Sequence, residues 1–366
     1  MYKVLGLVFI LVTSFLIYSN FTNNNEIKIG FLGGLSGKYS NLGHSLLNGM
    51  TLALEEENFE INKKKVRIIS KDDKQRETAA KLAISEFKKE KIDLILGAGT
   101  SSMTEVALES FDKTYMPTLI SASASSNNFS KKDDNFIRTQ VSQSEKSFDK
   151  LSKYLLSKNL KNIYIIFDPN NRAYSETYAN NFKKSFHKFK SDSLVLLKEL
   201  SKDFSYITED IKKRDNIDAI LIIANTLDTA RLVQFLRISD VENKIIGSSW
   251  SKNSELLENG GKYVEGMIFL TSYNNNSKNK KYMDFVEKYE EKYKTKPSIY
   301  ASQSYETTKI IIEVLKKNEN IKEFKSTLLS IKKFEGLQEE IEFDEYGDIK
   351  RNYILMEVID GQYKVI

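Results

Sequence analysis

Small hydroxyl side chains are concentrated in two stretches of the sequence, and these are the residues best suited to hold a ligand. The stretches are Gly97–Ser102 (GAGTSS) and Ser121–Ser126 (SASASS). The first stretch precedes a predicted helix, Met103–Phe111, whose N-terminus offers free backbone N–H groups and a favourable dipole to a carboxylate or similar anion. An ordinary helix cap and a flexible polar loop are the competing interpretations.

Both stretches follow predicted strands, Asp93–Leu96 and Pro117–Ser121. Ligands of open α/β sheets bind beyond the carboxyl ends of the strands. Hydroxyl-rich loops after two such strands therefore predict one anion-binding cleft. A glycine-rich turn, Gly33–Gly37, follows an earlier strand, but it lacks the G-x-G-x-x-G spacing of a dinucleotide site. We expect it to be a close-packed turn and predict no cofactor.

The composition excludes several classes of function. The chain has no cysteine, which removes disulfides, thiolate metal sites and cysteine nucleophiles. The only histidines are His44 and His187, too few for a metal site or a catalytic triad. The 55 basic and 50 acidic residues are spread along the chain, and the short basic runs carry no interleaved aromatic residues, so no nucleic-acid partner is expected. We predict that the chain is not an enzyme.

The N-terminus has the pattern of an export signal. Lys3 precedes an apolar run, Val4–Tyr18, and a polar stretch, Ser19–Asn25, follows it. A run of this length is typical of a signal peptide rather than a membrane span. An uncleaved inner-membrane anchor stays open because the cleavage site is weak, and a lipoprotein is excluded by the lack of cysteine. We therefore expect a periplasmic protein.

Short apolar runs alternate with amphipathic stretches over most of the remaining chain, which predicts an α/β fold with doubly wound parallel sheets. A chain of 366 residues favours two lobes over a single core. The alternation breaks at Gln140–Glu145 and Tyr273–Asn279, where we expect crossings between the lobes. A tight hairpin turn is predicted at Asp360-Gly361.

Several motifs, in their order along the chain, resemble the type I periplasmic solute-binding proteins of the branched-chain amino acid (Leu/Ile/Val-binding) class. They are IKIGFLGGLSGKYSNLG from Ile27, KDD at 71–73, GAGTSS, ISASAS, FDPNNRAYSETYANNF at 167–182, EG at 265–266, SYE at 304–306 and FDEYGD at 343–348. The resemblance implies a type I periplasmic binding protein fold, with two lobes joined by a three-crossing hinge. It implies a signal peptide or anchor at 1–25, a first lobe at 26–142 plus 273–335, and a second at 143–272 plus 336–366.

The resemblance also implies where a ligand binds. Its carboxylate is expected on Ser101 or Ser102, and the second serine loop is expected to add Ser123 and Ser125. In the second lobe Tyr174 opens the helix after the first strand, and the remaining family aromatic corresponds to Tyr305 in the first lobe.

Other positions depart from the family pattern. Gln143 stands where an acid usually holds the ligand ammonium, with Glu145 two residues on, and 247–250 (GSSW) supplies no second acid. Asp168 could supply negative charge instead. Leu42 replaces a family tyrosine, although Tyr39 is close. Trp250, the only tryptophan, is expected either to wall the pocket or to lie in the core.

The resemblance implies a binding protein that captures a small polar molecule, an amino acid or a related carboxylate, between closing lobes for an ABC importer. Its partner would be an ABC permease complex in the membrane. A ligand-sensing subunit for a membrane sensor kinase or chemoreceptor is the alternative, which the sequence leaves open.

Overall fold

The computed structural model describes residues 26–366, and residues 1–25, with the predicted signal peptide or anchor, lie outside that range. No helix within the described range is long and apolar enough to cross a membrane.

The first sheet is mostly parallel and has the strand order β2-β3-β1-β4-β5-β6, with β2 antiparallel at its edge. Its strands are β1 (Glu26–Gly33), β2 (Glu60–Ile61), β3 (Lys64–Asp72), β4 (Leu94–Leu96), β5 (Thr118–Ser121) and β6 (Phe136–Arg138). The helices between them are α1 (Ser40–Glu55), α2 (Glu77–Lys89) and α3 (Ser101–Glu109). The spacing of Ala80, Ala83, Ile84 and Phe87 predicts a helix over Glu77–Lys89. Helix α2 has these bounds, and these four residues are buried.

The second sheet repeats this design. Its parallel strands are β7 (Ile163–Phe167), β8 (Val195–Glu199), β9 (Ala219–Ile223), β10 (Lys244–Gly247) and β11 (Ile268–Thr271). The helices of this lobe are α4 (Asp149–Ser157), α5 (Arg172–Phe189), α6 (Phe204–Lys212), α7 (Thr226–Ile238) and α8 (Ser254–Gly260). Strands β7 and β9 are buried along their whole length, as expected of parallel strands covered on both faces.

After β11 the chain returns to the first lobe. It forms α9 (Lys280–Tyr293), α10 (Ile299–Lys317), α11 (Phe324–Ile331) and a small antiparallel pair, β12 (Lys333–Glu335) and β13 (Glu340–Glu342). Helix α10 packs closely on α1 because Gly49 has no side chain: a Cβ there would lie 2.1 Å from the carbonyl oxygen of Ala301.

The chain ends with β14 (Ile354–Ile359) and β15 (Gln362–Val365), an antiparallel hairpin that completes the second sheet in the order β15-β14-β11-β10-β9-β7-β8. Its turn is the predicted Asp360-Gly361 pair, and both residues have positive φ, as a two-residue type I′ turn requires. The predicted fold class, two doubly wound α/β lobes of the type I periplasmic binding protein kind, is confirmed.

One boundary differs from the expectation. Residues 336–351, assigned from the sequence to the second lobe, contact the first lobe. The backbone N–H of Leu337 donates to Glu306 of α10 at 2.7 Å, and Arg138 of β6 binds Asp348 at 2.6 Å. The sequence gives no sign of these contacts because each joins residues far apart in the chain.

Candidate ligand-binding site

The carboxyl ends of the central strands of both sheets face each other across the cleft between the lobes. A small cavity of about 20 Å³ lies there, and both lobes line it. The first lobe contributes Leu42, Gly99, Thr100, Ser101, Ser123 and Tyr300, and the second contributes Asn171, Tyr174 and Trp250. This volume has room for about one water molecule.

Ser101 organises the first-lobe side of the cavity. Its buried Oγ accepts hydrogen bonds from the backbone N–H groups of Ser125 and Ser126, at 3.3 and 3.2 Å. The two serine stretches thus form one unit, as the sequence predicted for adjacent strand ends. A serine hydroxyl has two acceptor positions and one donor, so the O–H of Ser101 remains to donate.

The neighbouring serines are engaged differently. The Oγ of Ser123 donates to the carbonyl of Gly99 at 2.9 Å, and the residue lines the cavity. Ser125 is also buried, but it meets Ser101 through its backbone N–H and does not line the cavity.

Ser102 and Asn171 join the two lobes in a reciprocal contact. The backbone N–H of Ser102, in the first turn of α3, donates to Oδ1 of Asn171 at 3.1 Å. In return, Oγ of Ser102 accepts from the backbone N–H of Ala173, in the first turn of α5, at 3.2 Å. Each lobe therefore satisfies a free N–H group at a helix start of the other lobe. Asn171 was not among the predicted site residues.

Asp168, in the second lobe, contacts two residues of the first lobe across the cleft. Its buried carboxylate accepts from the hydroxyl of Tyr39 at 2.9 Å and lies 4.0 Å from the ammonium of Lys38. Lys38 also binds Asp228 at 2.9 Å. Burial and the negative charge of Asp168 raise the pKa of Tyr39, so this tyrosine stays a neutral donor.

Trp250 meets both expectations for this residue, because it lines the cavity and is also buried in the hydrophobic core. It lines the small cavity, stacks on Tyr39 with the ring centres 5.8 Å apart, and meets Tyr174 edge-on at 5.4 Å. Tyr39 belongs to the first lobe, so Trp250 contacts residues of both lobes.

Tyr305 is the predicted site residue that the structure does not bring to the cleft. Its hydroxyl donates to Glu56 at 2.7 Å, and its ring packs on Phe285 of α9. Tyr300, five residues earlier on α10, lines the small cavity instead. The two tyrosines are more than one helical turn apart, which places their side chains on different faces of α10.

A larger cavity of about 640 Å³ opens outward from the small one, and Leu42, Trp250 and Tyr300 line both. Its wall combines polar and apolar residues, and its charged residues are Lys38, Lys296, Glu255 and Glu258. Across the same cleft Asn41 donates to Glu255 at 2.8 Å. Within residues 26–366 no group of three or more His, Cys, Asp or Glu side chains is arranged to hold a metal ion.

Comparison with known proteins identifies the family. A family model described as periplasmic binding protein matches residues 26–362. The chain belongs to the periplasmic binding protein family. Members of this family are solute-binding proteins and not enzymes. A comparison with curated protein sequences gives no significant match.

Solved structures share the fold of this binding protein. The leucine-binding protein LivK of Thermotoga maritima has a TM-score of 0.83 at 20% identity, covering 93% of this chain and 97% of its own. LivJ of Streptococcus pneumoniae, in complex with isoleucine, has a TM-score of 0.82 at 22% identity, covering 93% and 99%. An R. palustris solute-binding protein in complex with benzoate has a TM-score of 0.84 at 16% identity, covering 93% and 95%.

Proposed function

We propose that this binding protein captures a small carboxylate, an amino acid or a related acid, between its lobes and delivers it to an ABC permease complex in the membrane. The observation that carries the proposal is the cavity lined from both lobes, with the O–H of Ser101 left to donate at its wall. We assign ligand contacts to Ser101, Ser102, Ser123, Tyr174 and Trp250, with Asp168 and Ser125 supporting them.

The serine loops suit an anion for physical reasons. Helix α3 begins at Ser101, so its dipole places partial positive charge at the cavity wall. The backbone N–H of Ser102, which Asn171 now engages, becomes available to a ligand carboxylate when the lobes separate. Hydrogen bonds to a charged group contribute about 1.5–3 kcal/mol each, enough to select an acid over its ester.

Capture follows from contacts on both lobes. A ligand shifts an equilibrium between open and closed arrangements only through its different affinity for them. A molecule held by Ser101 on one lobe and by Tyr174 and Trp250 on the other favours the closed arrangement. The contacts of Tyr39 with Asp168 and of Lys38 with Asp228 then close the cleft behind it. The isoleucine and benzoate in the related structures support a carboxylate ligand.

A thermal-shift screen on residues 26–366 tests the ligand class. The panel contains leucine, isoleucine, phenylalanine, benzoate, the matching 2-hydroxy acids, and the methyl esters of the same acids. The proposal predicts that at least one free acid raises the melting temperature and that its ester does not. Equal shifts by acid and ester, or no shift by any acid, would contradict it.

Export and the transport partner need a separate experiment. Fractionation of cells that produce the full-length chain is expected to place it outside the cytoplasm, since the sequence begins with an export pattern. Recovery of the intact chain in the cytosol would contradict this. Ligand-dependent stimulation of a reconstituted permease would support transport, whereas stimulation of a sensor kinase would favour the sensing alternative.

A further inference from the structure

At Tyr174, which lines the small cavity, and at two neighbouring residues, the second lobe has three buried polar side-chain atoms that make no hydrogen bond within the described chain. They are Oε1 of Gln143, the hydroxyl of Tyr174 and Oγ of Ser248. These residues are 5%, 6% and 0% exposed. We call them the uncharged cluster. Buried polar groups are nearly always paired. The hydroxyl of Tyr174 lies near Gln143 and Ser248, but no two of the three atoms have the distance and angle of a hydrogen bond, so each retains hydrogen-bonding capacity.

Tyr174 connects this cluster to the cavity. It lines the cavity, and its hydroxyl has Gln143, Ser248, Ser249 and the backbone of Trp250 as polar neighbours. Burial raises the pKa of Tyr174, and these neighbours oppose the rise. Gln143 is fixed by its backbone: its N–H donates to the carbonyl of Ser125 at 2.9 Å, and its carbonyl accepts from Asn181 at 2.7 Å. Its side-chain oxygen makes no hydrogen bond.

No acidic residue of the described chain lines the small cavity that Tyr174 borders. Tyr178 and Tyr300 both have raised pKa values, caused first by burial and then by neighbouring tyrosines, with no carboxylate among the causes. Tyr353 belongs to the same group, and the charged side chain acting on it is Arg138, a cation. A buried ammonium without an anionic partner is far more costly than a buried hydroxyl or amide.

Asp168, the acid that the sequence suggested for a ligand ammonium, already has hydrogen-bonding and charged partners. Asp168 accepts from Tyr39 and from both the backbone and the side-chain nitrogen of Asn170, at 2.9 and 2.7 Å. The ammonium of Lys38 stands 4.0 Å from its carboxylate and 2.9 Å from Asp228. A ligand ammonium beside Asp168 would compete with Lys38 for the same negative charge.

Building on the proposed function, we propose that the ligand presents an uncharged hydrogen-bonding group, rather than a protonated amine, to Gln143, Tyr174 and Ser248. A ligand O–H or amide N–H donates to Oε1 of Gln143, and the hydroxyls of Tyr174 and Ser248 can donate to its oxygen. The acid end lies against Ser101. The ligand class is then a small carboxylate whose second polar group is neutral.

Matched ligand pairs test the inference by isothermal titration calorimetry on residues 26–366. The pairs are leucine with 2-hydroxy-4-methylpentanoate, isoleucine with 2-hydroxy-3-methylpentanoate, and phenylalanine with 3-phenyllactate. In at least one pair the hydroxy acid is expected to bind ten times more tightly than the amino acid, or more. The inference is overturned if, in every pair with measurable binding, the affinity of the amino acid equals or exceeds that of the hydroxy acid. That result leaves the proposed function standing. No binding by any acid overturns both.

Variants that restore a negative charge sharpen the test. Gln143→Glu places a carboxylate in the cluster, and Lys38→Met removes the cation beside Asp168. Each is expected to shift the affinity ratio tenfold or more toward the amino acid. Glu145→Gln, at an exposed position two residues from Gln143, is the matched control and is expected to leave the ratio unchanged. Circular dichroism shows whether Gln143→Glu is folded. If it is not, the affinity ratio of Lys38→Met tests the inference. The inference is overturned if Lys38→Met has the same ratio of hydroxy-acid to amino-acid affinity as the unaltered protein.

Discussion

The two walls of the cleft differ in how completely their polar groups are paired. On the first lobe, the serine loops hold each other: Ser101 accepts from Ser125 and Ser126, and Ser123 donates to Gly99. On the second lobe, the uncharged cluster has side-chain atoms without partners. The difference indicates that the first lobe is organised before a ligand arrives, whereas the second lobe gains hydrogen bonds from the ligand and so determines which ligand fits.

Ser101→Ala should have the largest effect on binding. The substitution removes the O–H donor to the ligand and the acceptor for two backbone N–H groups. We expect a 10- to 100-fold loss of affinity for the acid that binds best in the screen, and a loss of about 1–3 kcal/mol in the free energy of unfolding. Calorimetry and urea titration measure these quantities.

Ser125→Ala is the matched control, because Ser125 contributes its backbone N–H and not its side chain to the contact with Ser101. It should change affinity less than about threefold, within the range of a weak neutral contact. Equal losses in the two variants would show that the first-lobe wall is not organised around Ser101.

Lys252→Met probes another incompletely compensated group of the second lobe. Lys252 is buried, with the side-chain oxygen of Asn275 at 2.7 Å and the ring of Tyr363 at 4.7 Å, and burial lowers its pKa to about 7. An unfolded lysine has a pKa of about 10.4. Between these values the unfolded state binds a proton that the folded state lacks, so the contribution of Lys252 to stability rises with pH.

We therefore expect Lys252→Met to increase the free energy of unfolding at pH 7 by about 2 kcal/mol, in the range seen when buried charged groups are replaced by apolar ones of similar volume. The advantage should shrink as the pH approaches 10. Urea titrations of both proteins at several pH values give the comparison. A variant that is less stable at pH 7 would indicate that Lys252 is fully compensated.

Tyr300→Phe and Tyr305→Phe separate the residue at the cleft from the one that the sequence suggested. Tyr300 lines the cavity, so we expect loss of its hydroxyl in Tyr300→Phe to weaken ligand binding about two- to tenfold. Tyr305→Phe should leave affinity unchanged and lower stability by about 1 kcal/mol, since it loses the bond to Glu56. The opposite pattern in calorimetry would restore Tyr305 to the site.

Trp250 should report ligand entry with a small change in fluorescence. It is the only tryptophan, and it contacts Tyr39 of the opposite lobe. In the proposed capture, the lobes move apart and close again as a ligand enters, which changes the contact between Trp250 and Tyr39 and so the surroundings of the indole. Emission spectra during titration provide the measurement, and Trp250→Phe should abolish the signal. Saturation by calorimetry without any spectral change would place the ligand away from this wall.

Local sequence patterns predicted the elements that are long and periodic. Helix α2 and the hairpin turn at Asp360-Gly361 have the predicted places, because amphipathic periodicity and turn chemistry are local properties. Short or half-exposed elements such as β8 and α8 were not predicted, since a few residues with mixed burial leave no clear period.

The sequence predicted the part of the site that lies at strand ends. It did not predict the contacts between the two lobes. The serine loops were placed together from their positions after adjacent strands. The ion pair of Lys38 with Asp228 joins residues 190 positions apart, and the contact of Ser102 with Asn171 also crosses the cleft. Such pairs follow from the packing of one lobe on the other, which no local pattern encodes.

The most direct test of a ligand held between two lobes is small-angle X-ray scattering on residues 26–366, with and without a saturating amount of the acid that binds best in the screen. A ligand that bridges Ser101 on one lobe and Tyr174 on the other stabilises the closed arrangement. We therefore expect the radius of gyration to fall on binding. An unchanged radius of gyration at a saturation verified by calorimetry would contradict capture between the lobes.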